Sequence, residues 1–385
     1  MLQRTLFRYT YYQQILTLSS VWHTQPNGNF LHQYGAVGTG HPGGENQNTI
    51  NKLQSLSVDV EKIRKQNGWI LFEHCAYVDE VAGVLKEMGS SSITIVSILE
   101  RYPEAVLRTP AEIKIQRELW RSLTTDEQEL VRIIEKFPDS FFGVDHHVNQ
   151  KCNIVYFQGL NLSTRIIAKF LATAAPVFCN VPEKNKEMIE VLQQSYCNLG
   201  GSESNMRAWL LKLLIQNPFV LLKCPTVVKE NLSFFYGLGF TNSEVLLLLA
   251  KVRGFIAESS PHNMQESLLY IMDTLKCSTQ EMKSVVLEFP FLFYFPVPVL
   301  EERINNLLKD GISVDQIKEE PSVLELTVHI VQYRMQKLIA ADFDVKNVSL
   351  KHLSGTKKDF EANYRKLQVK KERPLFNPVT PLHDE

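Results

Sequence analysis

The sequence predicts an all-α fold in which helix-turn-helix repeats stack into a curved solenoid. Three observations carry this. A short motif, an apolar helix end followed by a proline and then large apolar residues, recurs along the chain at steps of 31 to 42 residues. Apolar residues elsewhere fall at helical spacing, and no segment sustains the two-residue alternation of a strand. Hydrophobic residues make up 44% of the 385 residues, ample for a continuous core.

From Met1 to Asn46 the only acidic residue is Glu45, while Arg4 and Arg8 stand among Leu2, Leu6, Phe7 and many hydroxyl residues. That is the composition of a mitochondrial transit peptide, and residues 1–45 are read as transit peptide and linker. A secretory signal requires an unbroken apolar stretch, and Ile15 to Val21 is interrupted by Thr17, Ser19 and Ser20. GTGHPGG, ending at Gly44, has neither a strand before it nor a phosphate-loop lysine after it, and reads as linker.

The repeat domain follows over residues 46–345. Its motif appears as ILERYPEAVL from Ile98, IIEKFPDSFF from Ile133, LATAAPVF from Leu171, LIQNPFVLL from Leu214, VVLEFPFLF from Val285 and IKEEPSVLEL from Ile317. AKVRGFIA from Ala250 fits the series with Gly254 in the proline's place. Proline has no amide hydrogen and fixes its own φ, so in each unit it stops a first helix and opens a turn. A second helix should then begin near Thr109-Pro110, Asp145, Asn180, Pro225, Pro298 and Thr327. A lone helix pair cannot cover its own apolar stripe, so neighbours must stack, leaving a concave surface for a ligand. Residues 346–385 form a basic C-terminal extension, with eight Lys or Arg against three acids between Lys351 and Arg373.

The formal net charge of −1 excludes a uniformly basic coat protein, so nucleic-acid binding would need a local row of cations. Repeats supply such a row, because one position recurs in every unit. The segments IQRELW, NQKCNI, KNKEMI, VVKENL, EERINN and QYRMQK place Arg117, Lys151, Lys186, Lys229, Arg303 and Arg334 at matching points of the second helices. The irregular unit around Gly254 offers only Asn263 or Gln265 there. Six phosphate contacts would give a slope of log affinity against log salt of about −5. Arg132, Arg165, Lys169, Arg207 and Lys212 lie in first helices and are left unassigned. Phe291, Phe293, Tyr294 and Phe295 follow an anchor proline and are read as core rather than as platforms for extruded bases.

No sequence warrant for catalysis is present: there is no GxxxxGK[ST], HExxH, GxSxG or dinucleotide fingerprint. The six cysteines are scattered without a CxxC pair, and His146, His147 and Cys152 lack a fourth ligand. The chain is therefore expected to be no enzyme, to hold no cofactor or metal, and to cross no membrane.

The proline-anchored units with turns such as those in LLKDGISVDQIKEEPSVL and YGLGFTNSEVLLLLAKVRG resemble the mitochondrial transcription termination factor family. The tail GTKKDFEANYRKLQVKKERPLFNPV carries the resemblance more specifically than any single repeat. The resemblance implies a superhelix whose repeats each hold two α-helices and a short 3₁₀ turn, with duplex DNA or structured RNA on the concave face. It implies a monomer in the mitochondrial matrix, associated with the nucleoid, that regulates transcription by cradling duplex mitochondrial DNA with little or modest sequence specificity. Other members of the family or the transcription machinery are further partners on this reading. Two alternatives stand beside it: ribosomal RNA binding in ribosome assembly, and a scaffold for protein partners. A pentatricopeptide RNA reader has a similar period but no fixed proline.

Overall fold

The computed structural model describes residues 44–73, 76–343 and 349–372; the expected transit peptide and the end of the basic extension lie outside the described residues. Backbone contacts cluster into two compact bodies, an N-terminal one ending at Lys229 and a C-terminal one starting at Glu230. No strand occurs among the described residues.

The N-terminal body opens with α1 (Gln47–Ser55) and continues in helix pairs. These are α2 (Val60–Asn67) with α3 (Val78–Glu87), α4 (Ser92–Arg101) with α5 (Pro110–Arg121), α6 (Glu127–Lys136) with α7 (His146–Gly159), and α8 (Thr164–Ala174) with α9 (Pro182–Asn198). The fifth pair is α10 (Glu203–Gln216) and α11 (Thr226–Gly237), within which the division between bodies falls. The C-terminal body holds α12 (Asn242–Lys251) with α13 (Pro261–Leu275), α14 (Thr279–Glu288) with α15 (Val297–Lys309), α16 (Val314–Glu319) with α17 (Val328–Ala340), and a closing helix α18 (Lys357–Glu372). Even-numbered helices from α2 to α16 are thus first helices of units 1 to 8, and the odd-numbered ones that follow are second helices. The sequence motif marks units 2 to 8; unit 1 carries Gly68 where the others carry the anchor.

The anchors work as their chemistry requires. Tyr102, Phe137, Asn217, Phe289 and Glu320, each just before a proline, leave the helical region with φ between −119° and −140°. The proline ring's clash with the preceding residue drives them there. Asn67 breaks in the same way at φ −140° ahead of Gly68, without a proline to announce it. Five of the joints are 3₁₀ turns, Gly68–Phe72, Pro103–Leu107, Pro218–Leu222, Pro290–Tyr294 and Pro321–Glu325. The other three, Pro138–Phe142, Pro176–Cys179 and Phe255–Glu258, are single α-turns instead. In the first of these the Gly143 amide reaches back four residues to Asp139, and before Pro176 Ala175 stays helical. Every joint drives apolar side chains inward: Ile70, Val106, Phe142, Phe178, Leu221, Ile256, Leu292 and Leu324 are all buried.

The links from one unit to the next are also alike. A residue of positive φ ends the second helix, a side chain turns inward, and a Ser, Thr or Asp caps the next first helix. Between units 5 and 6 the Gly239 amide bonds Tyr236 O, the Phe240 amide bonds Phe235 O, and Thr241 with Glu244 forms a capping box. Gly239 at φ 77° and Gly311 at φ 85° hold a conformation that a β-carbon would strain. The segment 122–125, between units 2 and 3, is the exception among these links, being one residue longer and without positive φ.

Within each body the units stack layer on layer. First helices α4, α6, α8 and α10 pack in succession, as do α12 and α14; second helices pack as α3 on α5, α7 on α9, and α13 on α15 on α17. A buried chain of amides ties the N-terminal layer together. Gln116 Nε2 and Trp120 Nε1 both donate to Gln150 Oε1 at 2.7 Å, joining α5 to α7. Asn185 Nδ2 donates to Asn153 Oδ1 at 3.0 Å, joining α9 to α7, and Asn153 Nδ2 donates to Phe178 O at 2.8 Å and Asn180 O at 2.7 Å in the joint of unit 4. Asn180 Nδ2 in turn reaches Leu221 O of unit 5 at 3.3 Å.

Asn153→Ala should therefore take the side-chain donor from the Phe178 and Asn180 carbonyls and one of two acceptors from Asn185 Nδ2, at a cost on the order of 2–4 kcal/mol. Urea unfolding monitored by circular dichroism checks this, and a loss under about 0.5 kcal/mol would mean that the amide chain is not what fastens the units.

Candidate nucleic-acid interface

A common register for the second helices follows from their deepest side chains. Trp120, Phe157, Leu192, Phe235, Ile271, Leu307 and Leu338 sit at one equivalent position, each with no more than 2% exposure. Seven residues earlier stands another buried residue: Ile113, Gln150, Asn185, Val228, Met264, Leu300 and Val331 in turn. Every other position of the second helices can be placed against these two.

All six cations singled out from the sequence lie on second helices, but they occupy three positions in this register. Lys151, Lys186 and Lys229 each stand six residues before the deepest side chain, one residue after the earlier buried position. Lys151 and Lys229 are exposed, with no carboxylate in ion-pair distance among the described residues. Lys186 is half-exposed, 3.7 Å from Glu183 and over the ring of Tyr156. These three share a surface position that can meet an anion.

Arg117 sits three residues beyond that position, immediately before Glu118, and is engaged by acids. Its Nη2 lies 3.1 Å from Glu127 Oε1, its Nε donates to Glu127 Oε2 at 3.2 Å, and Glu87 stands 3.9 Å away. Arg303 and Arg334 point inward. Arg303 lies over the Phe295 ring, 4.2 Å from its centroid, and donates to Leu324 O in the joint of unit 8. Arg334 is only 4% exposed; it donates to Leu353 O and to Gly355 O at 3.0 Å, over the ring of Phe360. Burial pulls its pKa below the ordinary guanidinium value, although it still has acceptors for a charged donor. A phosphate therefore has no access to Arg334, and the expectation of one uniform row of six is corrected: three members share an exposed position, and three are turned to acids or backbone.

Lys114, which the proline spacing does not single out, shares the position of Lys151, Lys186 and Lys229. It stands six residues before Trp120, as Lys151 does before Phe157, and it is exposed. Arg117 lies three residues further along the same short basic stretch, so only the distance to buried Trp120 distinguishes the two.

The remaining expectations resolve locally. Phe293 and Phe295 are buried, and Tyr294 donates its hydroxyl to Glu258 Oε2 at 2.6 Å, so this aromatic run belongs to the core. His147 Nδ1 lies 3.0 Å from Gln116 Oε1 at the edge of the amide chain, and His146 lies 3.6 Å from Asp139. The unassigned first-helix cations Arg132, Arg165, Lys169, Arg207 and Lys212 are all exposed, with Arg132 3.9 Å from Asp126 and Arg207 paired with Glu203. The start of the basic extension is folded onto the array: Phe360 is buried, and Lys337 of α17 holds Glu361 of α18 at 2.7 Å.

The mTERF family model matches residues 50–361. The chain is 48% identical over 341 residues to human "Transcription termination factor 2, mitochondrial", covering 89% of each chain, and 49% identical to the mouse protein of that name with the same coverage. It is 29% identical over 331 residues to human "Transcription termination factor 1, mitochondrial", covering 84% of this chain and 82% of the relative.

Two outcomes follow from the inward arginines. Arg334→Gln should leave the salt dependence of any anion binding unchanged while raising amide hydrogen exchange across 349–368, since the α18 anchor is lost; unaltered exchange there would contradict the assignment. Glu325, beside Arg303, is pushed by burial up to about 7, against the opposing pull of Arg303 and Lys251. The folded state then holds its proton more tightly than the unfolded one, so this group's contribution to stability falls as pH rises from about 4.5 to about 7. Glu325→Gln should remove that slope, raising the melting temperature more at pH 8 than at pH 5.

Proposed function

The chain belongs to the mitochondrial transcription termination factor family, and we propose that it regulates transcription of the mitochondrial genome by binding duplex DNA along its stacked second helices. The observation that supports this most directly is the recurrence of lysines at one register position of successive second helices, Lys151 and Lys229 exposed and Lys186 half-exposed. A duplex presents charge continuously along its axis, and a repeated cation is the simplest surface that meets it. The contacts are to phosphate, which carries no sequence information, so binding has little or modest sequence specificity.

The relatives named as mitochondrial transcription termination factors support a role in mitochondrial transcription. On this reading the protein works in the matrix, in the nucleoid, as a monomer that holds no cofactor and catalyses no reaction, alongside the transcription machinery and other members of its family. Helices joined by buried amides offer a firm support for exposed lysines, and none of the helices among the described residues is long and apolar enough to cross a membrane.

Binding of the full chain to fragments of mitochondrial duplex DNA, to scrambled duplexes of equal length and to ribosomal RNA tests the proposal at one fixed salt concentration. The expected result is affinity for both duplexes within about tenfold of each other and weaker binding to the RNA. Preference for ribosomal RNA would replace this reading with ribosome assembly, and binding to none of the three would leave the protein-scaffold reading in its place.

A further inference from the structure

The lysine position differs sharply between the two bodies, and the difference has a functional reading. In units 2 to 5 it holds Lys114, Lys151, Lys186 and Lys229, the last being the final residue of the N-terminal body. In units 6 to 8 of the C-terminal body the same position holds Gln265, Glu301 and Gln332. Unit 1 carries Asp79 there, paired with Lys52 at 2.7 Å. The cationic row therefore has a beginning and an end.

Where the C-terminal body does carry cations on the buried side of its second helices, they serve the fold. Arg303 and Arg334 stand three residues after the earlier buried position, where the N-terminal body has the neutral amides Gln116 and Asn153. In one body the polar groups facing the core are neutral and the outward lysines remain available. In the other, neutral Asn231 and Ser267 hold that position first, and in units 7 and 8 it passes to Arg303 and Arg334, whose charges turn inward to backbone carbonyls.

We infer that the nucleic acid is held by the N-terminal body alone, through a single row of four lysines, Lys114, Lys151, Lys186 and Lys229, and that the second helices of the C-terminal body do not grip phosphate. This rests on the nucleic-acid reading above and adds which half of the molecule carries it. The second helices α7 and α9 pack directly, which puts Lys151 and Lys186 roughly 10 Å apart. Duplex DNA carries one charge per about 1.7 Å of axis, so each rung meets a phosphate of its own and the four contacts count separately. The salt slope is then about −3.6, rather than the value of about −5 expected for six contacts.

The test compares three full-length proteins on a 22-base-pair duplex DNA of arbitrary sequence, with log affinity measured against log salt. They are the natural chain, a row variant with Lys114, Lys151, Lys186 and Lys229 all changed to Gln, and a control with Lys309, Lys351, Lys357 and Lys358 changed to Gln on the C-terminal body. These lysines are solvent-facing, and circular dichroism melting confirms that the variants fold. Expected are a natural slope of about −3.6, near-complete flattening in the row variant, and an unchanged slope in the control. Single changes, Lys114→Gln above all, should each lower the slope by about 0.9. A control that loses slope as much as the row variant does, or a row variant that retains it, overturns the inference while the nucleic-acid reading stands. Absence of binding by the natural chain at low salt removes the reading on which the inference rests.

Discussion

The structure depends on how one helix pair is fastened to the next, and in most units the fastening is a polar side chain at one position of the second helix; unit 4, with Met188 there, uses Asn180 to Leu221 O instead. At that position Asn153 donates to Phe178 O and Asn180 O, Asn231 to Ile256 O and Ser259 O, Ser267 to Phe295 O and Arg303 to Leu324 O, each at the joint of the next unit, while Arg334 donates to Leu353 O beyond the last unit. The constraint arises from the joints themselves. A turn that breaks a helix leaves carbonyls without intrahelical partners, and the same turn drives its apolar residues into the core, taking those carbonyls with them. A donor must come from elsewhere, and the second helix of the preceding unit is the element that packs there. The residue varies from amide to hydroxyl to guanidinium because only its reach and its proton matter.

Proline placement follows the same logic from the other side. The anchor proline has no amide to leave unsatisfied, so the break costs only acceptors, and those are what the fasteners supply. Basic residues at the ends of first helices extend the scheme. Arg101 donates to Glu135 O and Lys136 O, Lys136 to Thr173 O at 3.5 Å, and Lys251 to Leu287 O at 2.6 Å, each capping the end of the next first helix. Burial brings the Lys136 pKa down to about 8 in that role.

The helix pairs were legible in the sequence because proline and glycine act through the backbone, and backbone geometry is nearly independent of context. Six prolines and Gly254 locate seven joints, and the expected starts at Pro110, near Asp145 and at Thr327 fall where α5, α7 and α17 begin. Unit 1 was not marked, because Gly68 and Asn67 make the same break without a proline. The direction in which a cation points was less legible. Arg117, Arg303 and Arg334 share with Lys151 a place some dozen residues after an anchor, yet joints of variable length and second helices starting at different distances shift the helical phase. A shift of one residue turns a side chain by about 100°, enough to carry it from surface to core. Only the buried residues Trp120, Phe157 and Phe235 fix that phase, and Lys114 becomes visible once they do.

Near-neutral net charge is compatible with an anion-binding surface because many cations here are not surface charges in function. Lys283 pairs with Glu244 at 3.1 Å and also donates to Gly239 O, and Lys318 does the same with Glu281 and Lys276 O, so both close the link between consecutive units. Arg117, Arg303 and Arg334 are held by carboxylates or carbonyls in the same way. Net charge averages these with the lysines that face water, whereas the field a ligand meets is set by the outward groups alone and decays within a Debye length of about 8 Å. A row of four lysines on one layer of helices can therefore dominate its own neighbourhood while the whole chain stands at −1. What distinguishes such a protein from a scaffold with a neutral surface is the phase of its cations relative to the core, a property of packing that composition does not contain.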